Sequence, residues 1–164
     1  MSCLGVHFAL DETAAALLRA TRNQAERRRI VTEDIEERYL GKTWALETGK
    51  AWDAIHRCLT DARLLSAAPW GLQLCILGGK QLYTRSDYII SLVESKNVLF
   101  VAKALMVVSE EVMREMYFGI DPADYGMELS EDDFGYTWSN FEPLPSFFAR
   151  AAAENRTVIF TADQ

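Results

Sequence analysis

Two histidines and three cysteines carry the widest range of chemistry in this chain: His7, His56, Cys3, Cys58 and Cys75. An imidazole can move protons near neutral pH or hold a metal, and a thiolate can attack or ligate. Spacing limits what they can do. Local pairs occur only as Cys3-x3-His7 and His56-x-Cys58, and neither approaches the paired CxxC or HExxH patterns of metal sites. No metal or cofactor is expected. Gly78-Gly79 ends the apolar run WGLQLCILGG, residues 70–79, but lacks the spacing and the Lys-Ser/Thr of a phosphate loop. Nothing has the pattern of a nucleophile elbow. Catalysis would have to draw on these residues or on the acids Glu128, Glu131, Asp132 and Asp133, brought together by the fold.

The segment KAWDAIHRCLTD, residues 50–61, poses the question most sharply. Trp52, Ile55, His56 and Leu59 sit at i, i+3, i+4 and i+7 and form one helical stripe, with Asp53, Arg57 and Asp61 largely opposite. His56 is therefore either a wall residue with one hydrogen bond in the core or, with Trp52, part of a ligand site. Its apolar neighbours favour the wall. A pocket near His56 and Gly78-Gly79 is the setting for the alternative, a small-molecule-binding protein or enzyme.

A second constellation lies at 128–138. Glu131, Asp132 and Asp133 stand beside Tyr136 and Trp138, so aromatic anchors set in negative charge could face a basic partner. The same residues also read as structure. Ser130 followed by Glu131-Asp132-Asp133 is a capping box opening a helix, with Phe134, Trp138 and Phe141 on one side. Cys58 and Cys75 read as small apolar fillers.

Composition limits the partners. The chain has 164 residues and a formal net charge of −7, with 49% hydrophobic and 25% charged residues. That is the mix of a globular domain with a core of its own. The negative sign argues against nucleic acid and anionic membranes, both of which need clustered positive charge. Scattered cysteines in odd number argue against a disulfide framework. MSCLGVHFAL is too short, and lacks the basic start, for a signal peptide, and no apolar run approaches the roughly 20 residues of a bilayer span. A cytoplasmic, thiol-reduced monomer or simple homo-oligomer is expected.

The elements that must position these groups follow in order. Cys3–Ala9 reads as a strand, and Asp11 caps an Ala/Leu helix. The polar TRNQAERRR follows, its three arginines read as a solvated face. Thr32 is expected to cap a short helix through Ile35 and Tyr39 that Gly41 closes. KTWALE fits a strand or a loop, and Gln81–Leu92 a strand containing Tyr88, Ile89 and Ile90. Val98–Val108 reads as a helix buried almost all round. Ser109 caps the next helix, whose inner face is Val112, Met113, Met116 and Tyr117. DPADYG reads as a turn, and Pro143 and Pro145 interrupt the helix opened at Ser130. PSFFARAAAEN is a last helix before the β-branched strand Thr157–Thr161. The expectation is a single α+β domain over 1–164: a small mixed sheet, holding the N- and C-terminal strands, packed against several helices.

The order of these pieces resembles the YfbM-like family, a bacterial family of unknown function (DUF1877). The residues that carry it are Lys50, Trp52 and His56, then Leu77-Gly78-Gly79, VAKAL, and FFARAAAENRTVIF. In that family the first helix usually reads like K-x-W-x-x-L-H-x-x-L-T-G. Two departures stand out: Asp61 where a glycine is common, and Ile90 in TRSDYIISL near where relatives carry an arginine. The resemblance implies an α+β fold and supplies no reaction. The ranking from the residues is a non-enzymatic interaction protein, neutralising or regulating a basic protein partner, ahead of catalysis.

Overall fold

A computed structural model of the chain describes residues 3–60 and 71–163. Asp61 and Trp70 lie outside the described residues. One five-stranded sheet organises the rest, in the order β2-β1-β5-β4-β3. The strands are β1 (Gly5–Leu10), β2 (Ala45–Gly49), β3 (Lys80–Tyr83), β4 (Tyr88–Val93) and β5 (Thr157–Asp163). Both terminal strands lie in one sheet, as expected, and the structure makes them neighbours, with His7 opposite Phe160. The expected mixed sheet is corrected: each of its four pairings is antiparallel. The expected single strand from Gln81 to Leu92 is a hairpin, because Thr84–Asp87 turns the chain back. KTWALE supplies β2.

Both sheet faces are covered, so the strands do not alternate apolar with polar. One face, through Phe8, Leu10, Ile90, Leu92 and Ile159, packs on α1 (Glu12–Ala20) and on a long helical stretch. That stretch is α2 (Gln24–Arg29), a π-helical turn (Ile30–Ile35) and α3 (Glu36–Tyr39). Asp11 caps α1 through the Ala14 amide. Asn23, not Thr32, opens the second helix. Thr32 sits inside the π turn with its hydroxyl on the Arg28 carbonyl, a bond that competes with capping. Leu40 leaves the helix in extended conformation, and Gly41 (φ +69°) makes the reversal that sends the chain into β2.

The other face packs on five helices: α4 (Trp52–Leu59), α5 (Ser95–Met106), α6 (Glu110–Phe118), α8 (Glu131–Phe141) and α9 (Leu144–Ala153). DPADYG forms the single turn α7 (Pro122–Tyr125). Two expected faces are narrower than their sequences suggest. α5 buries Val98, Val101, Ala102 and Leu105 but leaves Leu99 and Phe100 half exposed. α6 buries Met113 and Tyr117, with Val112 and Met116 turned outward. α4 is wider than expected: every residue but Asp53 is buried, Arg57 included. Among the described residues no helix is long and apolar enough to cross a membrane.

Candidate functional site

His56 lies in α4 at 3% exposure, flanked by Ile55 and Leu59. Its carbonyl accepts the Thr60 hydroxyl at 2.6 Å. Trp52 donates its indole N–H to the Cys3 carbonyl at 3.2 Å, and its ring lies 5.7 Å from Phe160. Both face packed protein. Gly78 and Gly79 serve close approach: a Cβ on Gly78 would fall 2.4 Å from the Gln73 carbonyl oxygen, and one on Gly79 2.6 Å from that of Leu92.

Arg57 departs from the polar side assigned to it because three partners compensate its burial. Asp53 Oδ1 takes Nε at 2.8 Å, the Asp124 carboxylate takes Nη1, and the Tyr125 ring lies 5.6 Å away. Burial pushes the Asp53 carboxyl above its ordinary value, against the pull of Arg57.

The acidic segment divides into two kinds of residue. Asp133 looks inward: its Oδ2 accepts the Tyr117 hydroxyl at 2.5 Å and the Tyr125 hydroxyl at 3.0 Å. Burial holds both phenols above their ordinary pKa. Glu131 is exposed and paired with Arg114. Asp132 is exposed, and Tyr136, one turn on, is 44% exposed, its hydroxyl accepting the Lys50 amide at 3.2 Å. Trp138 is half-buried against Phe141.

Among the other chemical groups, His7 is fully buried on β1, with Nε2 2.7 Å from the Cys75 carbonyl. Burial lowers its pKa to about 4, so the ring is neutral at pH 7 and Nε2 is the donor. All three cysteines are free. Burial pushes the Cys58 thiol up to about 12 and Cys75 higher still, which makes both poor nucleophiles. Among the described residues no three His, Cys, Asp or Glu side chains are grouped to hold a metal.

A different place gathers charge around open space. Where β1 ends and β2 and β5 begin, a cleft of about 310 Å³ opens. Arg38, Lys42 and Arg156 line it, with Trp44, Tyr39 and Asp11. Three cations against one acid give the cleft a local charge of 3 − 1 = +2, in a chain whose net charge is −7. Asp11 is held below its ordinary pKa, first by the Ala14 amide, then by the Tyr39 hydroxyl and Arg38, against the opposing effect of burial. Its Oδ2 accepts Arg38 Nη2 at 2.6 Å and the Tyr39 hydroxyl at 3.1 Å. Lys42 sets its ammonium on the Arg38 and Glu37 carbonyls, at 2.7 and 3.3 Å, where α3 ends. Arg156 lies over the Trp44 ring, 3.9 Å from Cζ to centroid, and Nη1 donates to the Ala9 carbonyl at 3.1 Å. Trp44 is fixed in turn by its carbonyl, which accepts the Ala9 amide at 2.9 Å. This arrangement holds positive charge and N–H donors ready for an anion.

None of the residues singled out in the sequence as site candidates lines this cleft. Its members run from Asp11 to Arg156, so no local spacing announces them. Arg156 gave a weak signal, as the cation placed between a helix end and a buried strand.

Comparison with known proteins bears on the fold and the family. The sequence pattern described as "Domain of unknown function (DUF1877)" matches residues 1–161. The solved structure of a protein of unknown function, YfbM from Escherichia coli, superposes with a TM-score of 0.67 at 18% identity. The match covers 97% of this chain and 99% of that one. At that identity the likeness speaks for the fold alone. No curated protein matches the chain.

Proposed function

This chain belongs to the DUF1877 family, a domain of unknown function, and on that premise we propose from its own side chains that it binds a small carboxylate or phosphate anion in the cleft between Arg38, Lys42 and Arg156. The observation that carries the reading is local charge reversal: three cations converge on one open cleft of an acidic protein. Long-range repulsion from a net charge of −7 would weaken a shallow surface site, so binding depends on donors at short range. The cleft is near the lower end of the ~300–1,000 Å³ typical of small-molecule pockets, which suits a metabolite-sized ligand. Calorimetric titration at low salt with inorganic phosphate and with benzoate tests the reading. Binding of one of them, weakened in the Arg38→Gln, Lys42→Gln double variant, is the expected result. Absence of heat with both anions on a folded protein overturns it.

A second reading rests on Asp132 and the half-exposed Tyr136, one turn apart on α8. Here the acids Glu131 and Asp132 steer a basic protein partner and Tyr136 anchors it, while Asp133 stays inside as a structural group. A partner retained at low salt, and lost when Glu131 and Asp132 become Ser, is the expected outcome. Equal retention by the variant removes this reading.

A further inference from the structure

The negative charge of the chain is not evenly spread. Residues 109–142 carry ten acids and one cation, 1 − 10 = −9, whereas all other residues together carry 16 cations against 14 acids, +2. Within that segment α6 turns a mixed face outward. Val112 and Met116, one turn apart at 44% and 39% exposure, form one row. Glu111 and Glu115, also one turn apart and exposed, form the row beside it, and exposed Phe118 stands beyond. Met106 and Val107, just before the Ser109 cap, are more exposed still. The one cation of the segment, Arg114, lies over the Phe134 ring and is shared between Glu110 and Glu131. No ion pair among the described residues reaches Glu111 or Glu115.

Both rows lack a complement within the chain. Like charges at i and i+4 oppose the helix that carries them, and Glu115 stands in the last turn of α6, where the macrodipole favours a cation. Neither α6 nor α8 has a basic residue in its last turn. Cations brought from outside would relieve the repulsion and the helix ends together. We infer that the outer face of α6 docks a basic amphipathic helix of another protein. The partner's apolar row lies on Val112 and Met116, and its adjoining Lys/Arg row on Glu111 and Glu115. This rests on the second reading above, a basic protein partner, and deepens it by stating the partner's form and moving the apolar anchor to α6. Tyr136 is the poorer anchor, because its hydroxyl is already engaged by the Lys50 amide. A second copy fits badly, since the same face would set Glu111 and Glu115 against their own kind, and an anionic bilayer is repelled in the same way.

The test uses the whole chain and two dye-labelled peptides of one composition. In the first, Leu recurs at i and i+4 with Lys in the adjoining row; in the second, the same residues are shuffled so that neither row forms. Fluorescence anisotropy at low salt should show the amphipathic peptide binding at least about tenfold tighter than the shuffled one. Val112→Ser with Met116→Ser should weaken the amphipathic peptide at least about fivefold and leave the shuffled one unchanged. Glu111→Gln with Glu115→Gln should weaken both peptides and flatten the dependence on salt. Where the Ser pair loses its native circular dichroism, Val112→Ala with Met116→Ala decides in its place. Equal binding of the two peptides is bulk charge attraction and overturns the docking face. An amphipathic peptide that binds, ignores Val112 and Met116, and is weakened instead by Tyr136→Ser overturns the α6 face while the basic-partner reading stands. Dimerisation of the protein in sedimentation, abolished by the Ser pair, gives the face to a second copy and overturns the proposal. No binding of either peptide overturns both the face and the basic-partner reading.

Discussion

His7 Nε2 donates to the carbonyl of Cys75 at 2.7 Å, tying the first strand to the 3-10 turn at Gln73–Cys75 across 68 residues of chain. The bond closes inside an aromatic box, with Phe160, Phe148 and Phe147 ring centres at 5.0, 5.8 and 6.3 Å. Burial keeps the ring neutral, because a second proton would sit on Nδ1, which has no acceptor among the described residues; the bond to Cys75 pulls weakly the other way.

That condition sets a pH dependence. The folded pKa of His7 is about 4, against 6.5 for the free side chain. Between those values the unfolded chain takes up a proton that the folded chain refuses, so stability falls as pH drops from 6.5 toward 4. The loss from this group alone is on the order of 3 kcal/mol. Urea unfolding of the wild type and of His7→Gln, whose amide can also donate to Cys75, should show a shallower slope in the variant across that window. Parallel slopes would show that other groups govern it.

Asp133 and Asp132 are neighbours with opposite duties. Asp133→Ala strands two tyrosine hydroxyls and should cost about 2 kcal/mol, whereas Asp132→Ala, with its side chain in water, should stay within about 0.5 kcal/mol. Denaturant midpoints for the two variants make the comparison. Equal effects would mean that the tyrosines find other acceptors.

Removing Arg57 leaves the Asp53 carboxylate in a desolvated place with its cation gone. Arg57→Met should therefore cost about 3 kcal/mol, and adding Asp53→Asn should recover a good part of it. A double-mutant cycle in urea at pH 7 reads the coupling. Strict additivity would refute the pairing as an energetic unit.

His56→Ala should lower the melting temperature, at a cost of about 2 kcal/mol, and leave oxyanion affinity unchanged, because His56 is packed in α4 and does not line the cleft. A variant with unaltered melting and abolished binding would place the ligand at α4 instead.

Elements governed by near neighbours were legible. Asp11, Ser109 and Ser130 announce helix starts because an N-cap needs only its own side chain and an amide two or three residues on. β1 and β5 were readable from apolar, β-branched runs. Exposure around α5 was not, since an all-apolar helix carries no mark of which side the sheet will take; Leu99 and Phe100 look no different from Val98 and Val101. Arg57 was misassigned because a cation reads as solvent-facing until Asp124, 67 residues away, is known to meet it. The cleft fails for the same reason at larger scale. Trp44, Arg38 and Arg156 become neighbours only through the pairing of β2 and β5 with β1.

The place of β5 has a consequence for how the molecule is made. It is the middle strand, hydrogen-bonded to β1 on one side and β4 on the other, yet it is the last strand along the chain. Without β5 the sheet falls into two antiparallel pairs, β1 with β2 and β3 with β4, each with an open edge where β5 belongs. Residues 157–163 join the two halves, and with them comes Arg156 over the Trp44 ring. Any hairpin that forms before β5 is made therefore presents an unpaired edge, the kind of edge a chaperone or a neighbouring chain can take up.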